Sequence, residues 1–401
     1  MKSFNPSQFR AQFPALNDGT IYLDSAATAL KPDAVIDATT TFYKSSGGNV
    51  HRSHSAQAQK QTEQYENTRN LVAQYLNVAD PKTMVWTRGT TEAINLVAQG
   101  FARYRLHAED EIIVSEAEHH ANLVPWLMVA EQTGARVVKW PVNSEGLPDI
   151  HLLPGLLNSR SKILAVGQMS NVTGGQPDLA RAITLAHQAG AYVVVDGAQG
   201  IVHNPPDLTA LDCDFYAFSA HKLYGPTGIG VLYGKAELLA DMSPLLGGGK
   251  MITDVSFAGF TTQPAPWRFE AGTPNMAGVA GLNAALQWLE NLDTTQAEAW
   301  ACQLADSAAQ QLAQRPGVRL FRAPHASLFA FTVDGLHHSD IATLLSSAGI
   351  ALRAGQHCAQ PLLAALGVSG TLRVSFAPYN TPDDVAALVA AFDQALSILL
   401  D

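Results

Sequence analysis

A lysine and an aspartate follow apolar segments of this chain. Asp196 ends the run Ala191–Val195, and Lys222 ends a polar segment that includes Ser219 and His221. An amine can form a Schiff base, a carboxylate can hold a proton on a pyridine nitrogen, and hydroxyl and imidazole groups can bind a phosphate. Together these groups predict an enzyme that uses pyridoxal 5'-phosphate. For Asp196 alone, a helix cap or a turn is the alternative.

A phosphate site is predicted in the segment Thr87–Glu92, which joins a strand end to the helical stretch Ala93–Arg103. Gly89 allows a tight turn, and the hydroxyls of Thr90 and Thr91 stand beside the first N–H groups of the helix, which attract anions. An ordinary threonine cap with a nearby acidic residue is an equally good local explanation.

His119 and His120 follow the strand-like segment Ile112–Ser115, so His119 can lie over the strand ends and stack on a pyridine ring. A metal site is the rival interpretation. Adjacent side chains point in different directions, however, and the sequence has no second cluster of His, Asp or Glu at ligand spacing. We therefore predict no metal.

The three cysteines are far apart, which supports neither a disulfide framework nor a zinc site. Cys358 follows a strand-like segment and has Arg353 and His357 nearby, an electropositive loop setting in which a thiol can be reached and partly ionised. We predict that Cys358 is reactive, against the alternative of an ordinary buried cysteine. Cys302, in a helical segment, and Cys213, between two aspartates, are predicted to be buried and inert.

Arg373 lies in the strand-like segment Thr371–Ser375, where a charge is costly unless it meets an anion. Its forked guanidinium fits the carboxylate of an amino acid. A salt bridge at a domain boundary is the alternative.

Short β-rich segments alternate with helix-like stretches between residues 80 and 235. The alternation predicts an α/β fold, with a mostly parallel sheet and helices on both faces. Ligands of such sheets bind at the carboxyl ends of the strands, where the polar residues described above stand. The β-rich segments are Met84–Thr87, Ile112–Ser115, Val137–Lys139, Ile163–Gln168, Tyr192–Asp196, Phe215–Ser219 and Gly230–Tyr233.

The remainder of the chain has a different pattern. Gly247–Asn275 is rich in Gly, Pro and Thr and is predicted to form long loops. The mixed helix and strand patterns after Met276 predict a smaller α+β domain, with strands at Leu328–Val333, Ile350–Arg353 and Thr371–Ser375. Two domains also suit the length, because hydrophobic cores stop growing near roughly 250–300 residues. We predict a large cofactor-binding domain over residues 21–280, and a small domain that carries Cys358 and is formed by residues 1–20 with 281–401.

The composition excludes several classes of protein. With 47% hydrophobic and 15% charged residues and no long apolar run, the sequence is typical of a soluble globular protein. A net charge of −10 argues against a general nucleic-acid surface. The first residues have no apolar core of the kind that a signal peptide carries, so we expect a cytoplasmic protein.

Seven motifs in order along the chain resemble those of the cysteine desulfurases of the NifS/SufS class, group II. The resemblance extends from about residue 20 to the end of the chain. It implies a homodimeric pyridoxal-phosphate enzyme of fold type I, in the class-V aminotransferase superfamily. The motifs are Leu23–Ala27, Arg88–Glu92, Glu118–Asn122, Ser170–Gly174, Asp196–Gln199, His221–Pro226 and Arg353–Cys358.

The resemblance implies a role for each residue of the site. Lys222 would carry the cofactor as a Schiff base, and Cys358 would receive the sulfur. His119 would stack on the cofactor ring, Asp196 would pair with its nitrogen and Gln199 with its phenolic oxygen. The phosphate ligands would be Thr90, Thr91, Ser219 and His221, joined by Thr273 of a second subunit, and the substrate ligands would be Asn171, Arg353 and Arg373.

The implied reaction removes sulfur from L-cysteine and gives L-alanine and a persulfide on Cys358, with cysteine sulfinate and selenocysteine as further substrates. The sulfur would supply iron–sulfur cluster assembly or another sulfur-transfer pathway. Because the segment from Arg353 to Cys358 is short, as in group II, an acceptor protein of the SufE/CsdE type would have to dock close to the cysteine. Gln356 stands where SufS-like relatives tend to have His, which is not expected to alter the reaction.

Other functions stay open at this point. A selenocysteine lyase, a kynureninase-like hydrolase or an aminotransferase would use the same cofactor site. A non-catalytic sulfur carrier would need neither the cofactor nor Lys222. A cysteine hydrolase that pairs Cys358 with His357 is disfavoured, because consecutive residues seldom form a nucleophile and its base.

Overall fold

The computed structural model describes residues 2–45, 49–51 and 54–400. No helix in these ranges is both long enough and apolar enough to cross a membrane. The helices are α1 (Pro6–Arg10), α2 (Asp33–Ser45), α3 (Ala56–Tyr75), α4 (Thr90–Gly100), α5 (Val124–Thr133), α6 (Leu153–Leu156), α7 (Leu179–Gln188), α8 (Gly200–His203), α9 (Leu208–Leu211), α10 (Ala236–Asp241), α11 (Met276–Glu290), α12 (Thr294–Leu312), α13 (His338–Ser347), α14 (Gln360–Ala365) and α15 (Pro382–Leu400). The strands are β1 (Ile21–Tyr22), β2 (Met84–Thr87), β3 (Glu111–Ser115), β4 (Arg136–Trp140), β5 (Ser161–Gly167), β6 (Tyr192–Asp196), β7 (Phe215–Ser219), β8 (Gly230–Gly234), β9 (Ile252–Ser256), β10 (Gly259–Thr262), β11 (Val318–Phe321), β12 (Leu328–Val333), β13 (Ile350–Ala351), β14 (Arg353–Gly355) and β15 (Thr371–Ser375).

A seven-stranded sheet has the strand order β2-β8-β7-β6-β5-β3-β4. All its strands run in one direction except β8, which is antiparallel to both β2 and β7. Each of the seven β-rich segments predicted from the sequence is a strand of this sheet, and the ends differ by two residues at most. The predicted α/β fold with a mostly parallel sheet is confirmed.

The sheet is buried on both faces, which is why its strands are nearly continuous apolar runs. In β6, Val193 packs in one hydrophobic cluster and Val194 in another, on the opposite face. At the carboxyl end of the sheet the register pairs Gly167 with Asp196, and Asp196 with Ala217. The polar residues that follow β5, β6 and β7 are therefore brought to one edge.

A second, antiparallel sheet has the strand order β11-β12-β15-β14. α12 and α15 pack on it around a separate cluster that includes Phe331 and Phe392. β1 pairs with β13 and so joins the N-terminal segment to this part, but Phe9 and Phe13 pack in the cluster of the large sheet. Domain boundaries near residues 20 and 280 stay a prediction.

Two local predictions are wrong. Part of Gly247–Asn275, expected to form loops, is the antiparallel hairpin of β9 and β10, whose exposed Thr and Asp residues hide the alternation that a half-buried strand would show. The predicted strand Ile350–Arg353 is divided, because β13 pairs with β1 whereas β14 pairs with β15. β11 was not anticipated.

Candidate active site

A cavity of about 300 Å³ lies at the carboxyl ends of β5, β6 and β7. Of the site residues predicted from the sequence, every one except Thr273 lines it. The hydroxyl of Thr273 instead accepts a hydrogen bond from Asn49, at 3.2 Å. The predicted residues in the wall are Thr90, Thr91, His119, Asn171, Asp196, Gln199, Ser219, His221, Lys222, Arg353, Cys358 and Arg373.

Lys222 and Asp196 are the charged pair at the end of the large sheet. Lys222 ends the single turn that follows β7, and burial lowers the pKa of its amine to about 8, although the charge of Asp196 opposes that shift. Burial also raises the pKa of Asp196, whose Oδ1 accepts the N–H of Ala198 at 2.9 Å. Asp196 therefore stabilises the turn after β6, as the alternative proposed, and also faces the cavity.

The first residues of α4 lie very close to β7 and β8. Its N-cap residue is Gly89, not a threonine, so the threonine-cap alternative is wrong. The backbone N–H and the hydroxyl of Thr90 both contact Oγ of Ser219, at 2.8 and 2.7 Å. A Cβ on Gly230 would lie 2.6 Å from Cα of Gly89, so only glycine lets β8 pass under this turn.

The histidines of the site are uncharged at neutral pH. Burial, reinforced by the charge of Lys222, lowers the pKa of His119 and that of His221 to about 4. Nδ1 of His119 accepts the N–H of Ala121 at 3.0 Å, so the ring proton is on Nε2. A neutral ring held in this way can stack on an aromatic ligand.

Asp24 joins the two arginines of the site. Its carboxylate receives Arg353 at 2.9 Å and Arg373 at 3.0 Å. Arg373 therefore does form a salt bridge, as the alternative interpretation proposed. Nε of this buried arginine, however, has no hydrogen-bond partner among the described residues. Asp24 was not predicted to contact the site residues, although it is part of the motif Leu23–Ala27.

The segment around Cys358 is tightly held. His357 and Cys358 both have a φ of +54°, a left-handed conformation that is uncommon for residues with a side chain. Asn171 donates to the carbonyl of His357 at 2.8 Å, and the N–H of His120 donates to the carbonyl of Cys358 at 2.6 Å. The Cys358 side chain is exposed and lies in the wall of the cavity.

The electropositive setting predicted for Cys358 is wrong in one respect. His357 is buried beside Thr371, and burial, with Arg373 next in importance, lowers the pKa of His357 to about 3, so it brings no charge. Cys213 is buried as predicted, whereas Cys302 is half-buried and its thiol lies 3.0 Å from the carbonyl of His325.

A second carboxyl group, that of Glu118, lies near Asp196 and was also missed. It is buried and accepts hydrogen bonds from the N–H of Gly167 at 2.7 Å and from Asn122 at 2.8 Å. Burial raises the pKa of Glu118 to about 8, and the charge of Asp196 adds to that shift. The described residues contain no group of three or more His, Cys, Asp or Glu side chains that could hold a metal ion.

Comparisons with known proteins show the family of this chain. A family model described as aminotransferase class-V matches residues 21–388. Cysteine desulfurase CsdA of Escherichia coli (strain K12) is 68% identical over 401 residues, which are 100% of both chains. A probable cysteine desulfurase of Vibrio cholerae is 51% identical over 98% of this chain and 99% of its own length.

Solved structures show the same relationship. The crystal structure of CsdA from E. coli, with an S-sulfonic acid, superposes with a TM-score of 0.95 at 68% identity, over 99% of each chain. The apo structure of a cysteine desulfurase from Thermococcus onnurineus NA1 has a TM-score of 0.94 at 33% identity, over 99% of this chain and 100% of its own. At 26% identity and a TM-score of 0.83, over 96% and 98% of the two chains, a C-DES variant has glycine covalently linked to its PLP cofactor.

The family match spans most of the chain, and the identities are far above those of chance resemblance. This chain belongs to the class-V aminotransferase family and, within it, to the cysteine desulfurases.

Proposed function

We propose that this protein removes sulfur from L-cysteine, releases L-alanine and keeps the sulfur as a persulfide on Cys358. The observation that carries the proposal is that one cavity is lined by the amine of Lys222, whose pKa is lowered, and by an exposed thiol, Cys358. The reaction needs both groups: an amine to hold the cofactor and move protons, and a thiol that can present the bound sulfur to another protein. The naming of its relatives as cysteine desulfurases supports the same conclusion.

The residues of the cavity fit pyridoxal 5'-phosphate. An amine that bonds to an aldehyde must be uncharged part of the time, and a pKa of about 8 makes Lys222 suitable. The buried carboxyl of Asp196 is suited to hold the proton of the pyridine nitrogen, and uncharged His119 to stack on the ring. Gln199 gives one N–H to the carbonyl of Ala26 at 2.8 Å and has a second for a phenolic oxygen.

The phosphate would lie at the N-terminus of α4. Thr90, Thr91, Ser219 and His221 surround that end of the cavity and offer hydroxyl and imidazole groups. The first N–H groups of a helix, together with its dipole, favour an anion at this position.

The substrate carboxylate would be bound by Arg373, with Asn171 and Arg353 beside it. Arg373 donates to the carbonyl of Asn171 at 3.1 Å and to Asp24, and these contacts fix the orientation of its guanidinium. Its unpartnered Nε–H supports a role in anion binding. Arg353 is half exposed and would act at the mouth of the site.

When bound, pyridoxal phosphate supplies an electron sink that makes the Cα proton of an amino acid acidic. Lys222 would accept that proton and return it, because a pKa of about 8 leaves part of its amine population uncharged at neutral pH. The thiolate of Cys358 would bond to the substrate sulfur while the carbon–sulfur bond breaks. The carbon then takes up a proton, so that the products are alanine and a persulfide.

Cysteine sulfinate and selenocysteine are proposed as further substrates, because their leaving groups depart more readily than thiol sulfur. Persulfide sulfur would pass to an acceptor protein of the SufE/CsdE type in the cytoplasm and from there to iron–sulfur clusters or other sulfur-containing products. The support is the position of Cys358, which is exposed but held by two backbone contacts and so cannot move far from the cavity.

We propose that two copies of this chain form the working enzyme. The hairpin of β9 and β10 exposes Val255, Phe257 and Phe260, which a partner subunit would cover. Thr273 lies outside the cavity of its own chain, as expected of a residue that completes the phosphate site of the partner.

The test is an assay of the purified protein with pyridoxal phosphate. We expect alanine from L-cysteine without any keto acid, and a visible absorption band, both of which Lys222→Ala abolishes and Lys139→Ala, on the surface, preserves. A keto-acid requirement would instead indicate an aminotransferase, kynurenine cleavage a kynureninase-like hydrolase, and activity on selenocysteine alone a selenocysteine lyase. Each of these results would contradict the proposal.

A further inference from the structure

Lys222 also lies in the wall of a second, smaller cavity. This cavity has a volume of about 40 Å³ and lies between the large sheet and the helices and strands of the small one. Because one water molecule needs about 10–15 Å³ measured in this way, there is room for roughly three.

The wall of the small cavity has the polar groups that buried water requires. Tyr75 and Tyr224 line it, and each has a hydroxyl group that can bind water. Gln199 and Ser327 contribute an amide and a further hydroxyl. Buried water typically makes two to four hydrogen bonds to groups that the protein leaves unsatisfied, so this cavity suits a small cluster of water.

A histidine and a glutamate stand between the small cavity and the surface. His203, at the end of α8, contacts Glu298 of α12 at 2.8 Å and Ser327 at 3.3 Å. The side chain of His203 is 12% exposed and that of Glu298 is 27% exposed. Both residues line the small cavity and also a surface groove of about 190 Å³. The pair therefore lies between the small cavity and the surface groove.

We propose that the small cavity binds water through which the His203–Glu298 pair exchanges protons with the amine of Lys222, an inference that rests on the proposed role of Lys222. A proton leaves the imidazolium of His203 for a neighbouring water molecule, and the last water of the chain delivers a proton to the Lys222 amine. The reverse sequence removes it. Only N–H and O–H bonds form and break, and solvent in the groove restores the proton on His203.

The charges around His203 suit this task. Burial lowers its pKa, but the charge and hydrogen bond of Glu298 outweigh that effect, and the net pKa is raised despite the opposing charge of Lys222. Glu298 is also 3.7 Å from the thiol of Cys302, and Tyr75, Tyr224 and Lys222 are the other ionisable residues that line the small cavity. His203 thus holds its proton at neutral pH more often than a free histidine does.

A separate route matters because substrate fills the larger cavity during turnover. Substrate then covers Lys222 on that side, and a route from another side would let the amine exchange protons with solvent between turnovers. The small cavity reaches the same lysine from another side.

The kinetic test compares His203→Gln with the parent enzyme, using alanine formation from L-cysteine. We expect kcat to fall about tenfold with KM unchanged, and the solvent deuterium isotope effect on kcat to increase. Ala297→Val, which adds methyl groups to the cavity wall, should act in the same direction. His187→Gln is the matched control, because His187 pairs with Asp214 at the same distance of 2.8 Å but lines neither cavity.

A crystal structure of the unmodified enzyme with its cofactor gives a test that does not depend on a variant or on activity. Ordered water between Lys222 and His203 is expected, and a cavity without water density would overturn the proposal. Equal kcat and isotope effect in His203→Gln and the parent would also overturn it. If the parent makes no alanine from cysteine, the proposed function itself fails, which is a different result.

Discussion

At the scale of single residues, the amine of Lys222 stands where the protein disfavours its charge. The folded pKa is about 8, against 10.5 for an ordinary lysine. Between these two pH values the unfolded chain holds a proton that the folded chain lacks, so the free energy of unfolding rises with pH in that window. Below pH 8 the buried charge therefore costs stability.

We predict that Lys222→Met stabilises the cofactor-free protein at pH 7. The gain is up to a few kcal/mol, at about 1.4 kcal/mol per pKa unit, and it should shrink as the pH rises from 8 to 10.5. Urea unfolding at pH 7 and at pH 10 measures it. Lys139→Met, at an exposed position, should show no such dependence; an equal gain at both pH values would refute the explanation.

Asp24 orients the guanidinium of Arg373. For binding the substrate carboxylate, the forked shape of this guanidinium should matter more than its charge. Arg373→Lys keeps the charge but cannot bind Asp24 and a carboxylate in the same geometry. We expect KM for cysteine to rise roughly tenfold or more, equivalent to one charged hydrogen bond, with a smaller change in kcat. Steady-state kinetics measure both, and Arg315→Lys, in a surface pair with Asp393, is the control. An unchanged KM would remove Arg373 from substrate binding.

Sequence reasoning could identify chemical types at this scale but not their partners. Lys222, Asp196 and Cys358 were predicted because a reactive residue stood at a strand end or in a loop. Asp24 was not, because it meets Arg373 only when segments 349 residues apart come together. His357 was expected to add positive charge, but burial lowers its pKa and leaves it neutral. Burial cannot be inferred from the adjacent residues in the sequence alone.

At the scale of elements, the segment between β14 and α14 fixes the thiol. His120 contributes its backbone N–H to Cys358 and its ring Nε2 to the N–H of Gln360, at 3.1 Å. We predict that His120→Ala loosens the segment. Alkylation of Cys358 should become about twofold to tenfold faster, which corresponds to the loss of one hydrogen bond, and sulfur release should fall by a similar factor.

Labelling with iodoacetamide followed by mass spectrometry of the Cys358 peptide measures this change. His151→Ala, on an exposed turn away from the segment, should label at the parent rate. Unchanged labelling in His120→Ala would mean that the left-handed backbone at His357 and Cys358 is held by other contacts.

The strands of the large sheet could be predicted because they are buried on both faces and so are apolar throughout. The hairpin of β9 and β10 could not, since its strands are largely exposed and their Thr, Asp and Ser residues give no apolar pattern. The division of Ile350–Arg353 between two sheets was equally invisible, because a pairing partner is a tertiary property.

At the scale of the whole molecule, the cavity is formed where the two sheets meet. Lys222 is supplied by the large sheet, whereas Arg373 and Cys358 belong to the small one. The contact between the two sheets could not be predicted from the sequence. Polar residues stand at strand ends in both halves of the chain, however, and this made a shared site a reasonable hypothesis.

We predict that the protein is a dimer with twice the 42.7 kDa mass of the chain. Phe257→Glu places a charge on the exposed hairpin and should weaken the dimer, because the apolar contact would be replaced by a buried charge. Light scattering coupled to size-exclusion chromatography measures the mass. Tyr104→Glu, at another exposed aromatic residue, should remain dimeric. A parent protein of single-chain mass would contradict the proposal.

The central claim is that Lys222 serves every substrate while Cys358 serves cysteine in particular. The most direct measurement is alanine formation by Cys358→Ala with L-cysteine and with cysteine sulfinate, beside Cys302→Ala as the control. We predict that activity on cysteine falls by roughly a hundredfold or more, as expected when a nucleophile is removed, while activity on cysteine sulfinate and cofactor absorption persist. Full-rate sulfur release from cysteine by Cys358→Ala would contradict the account.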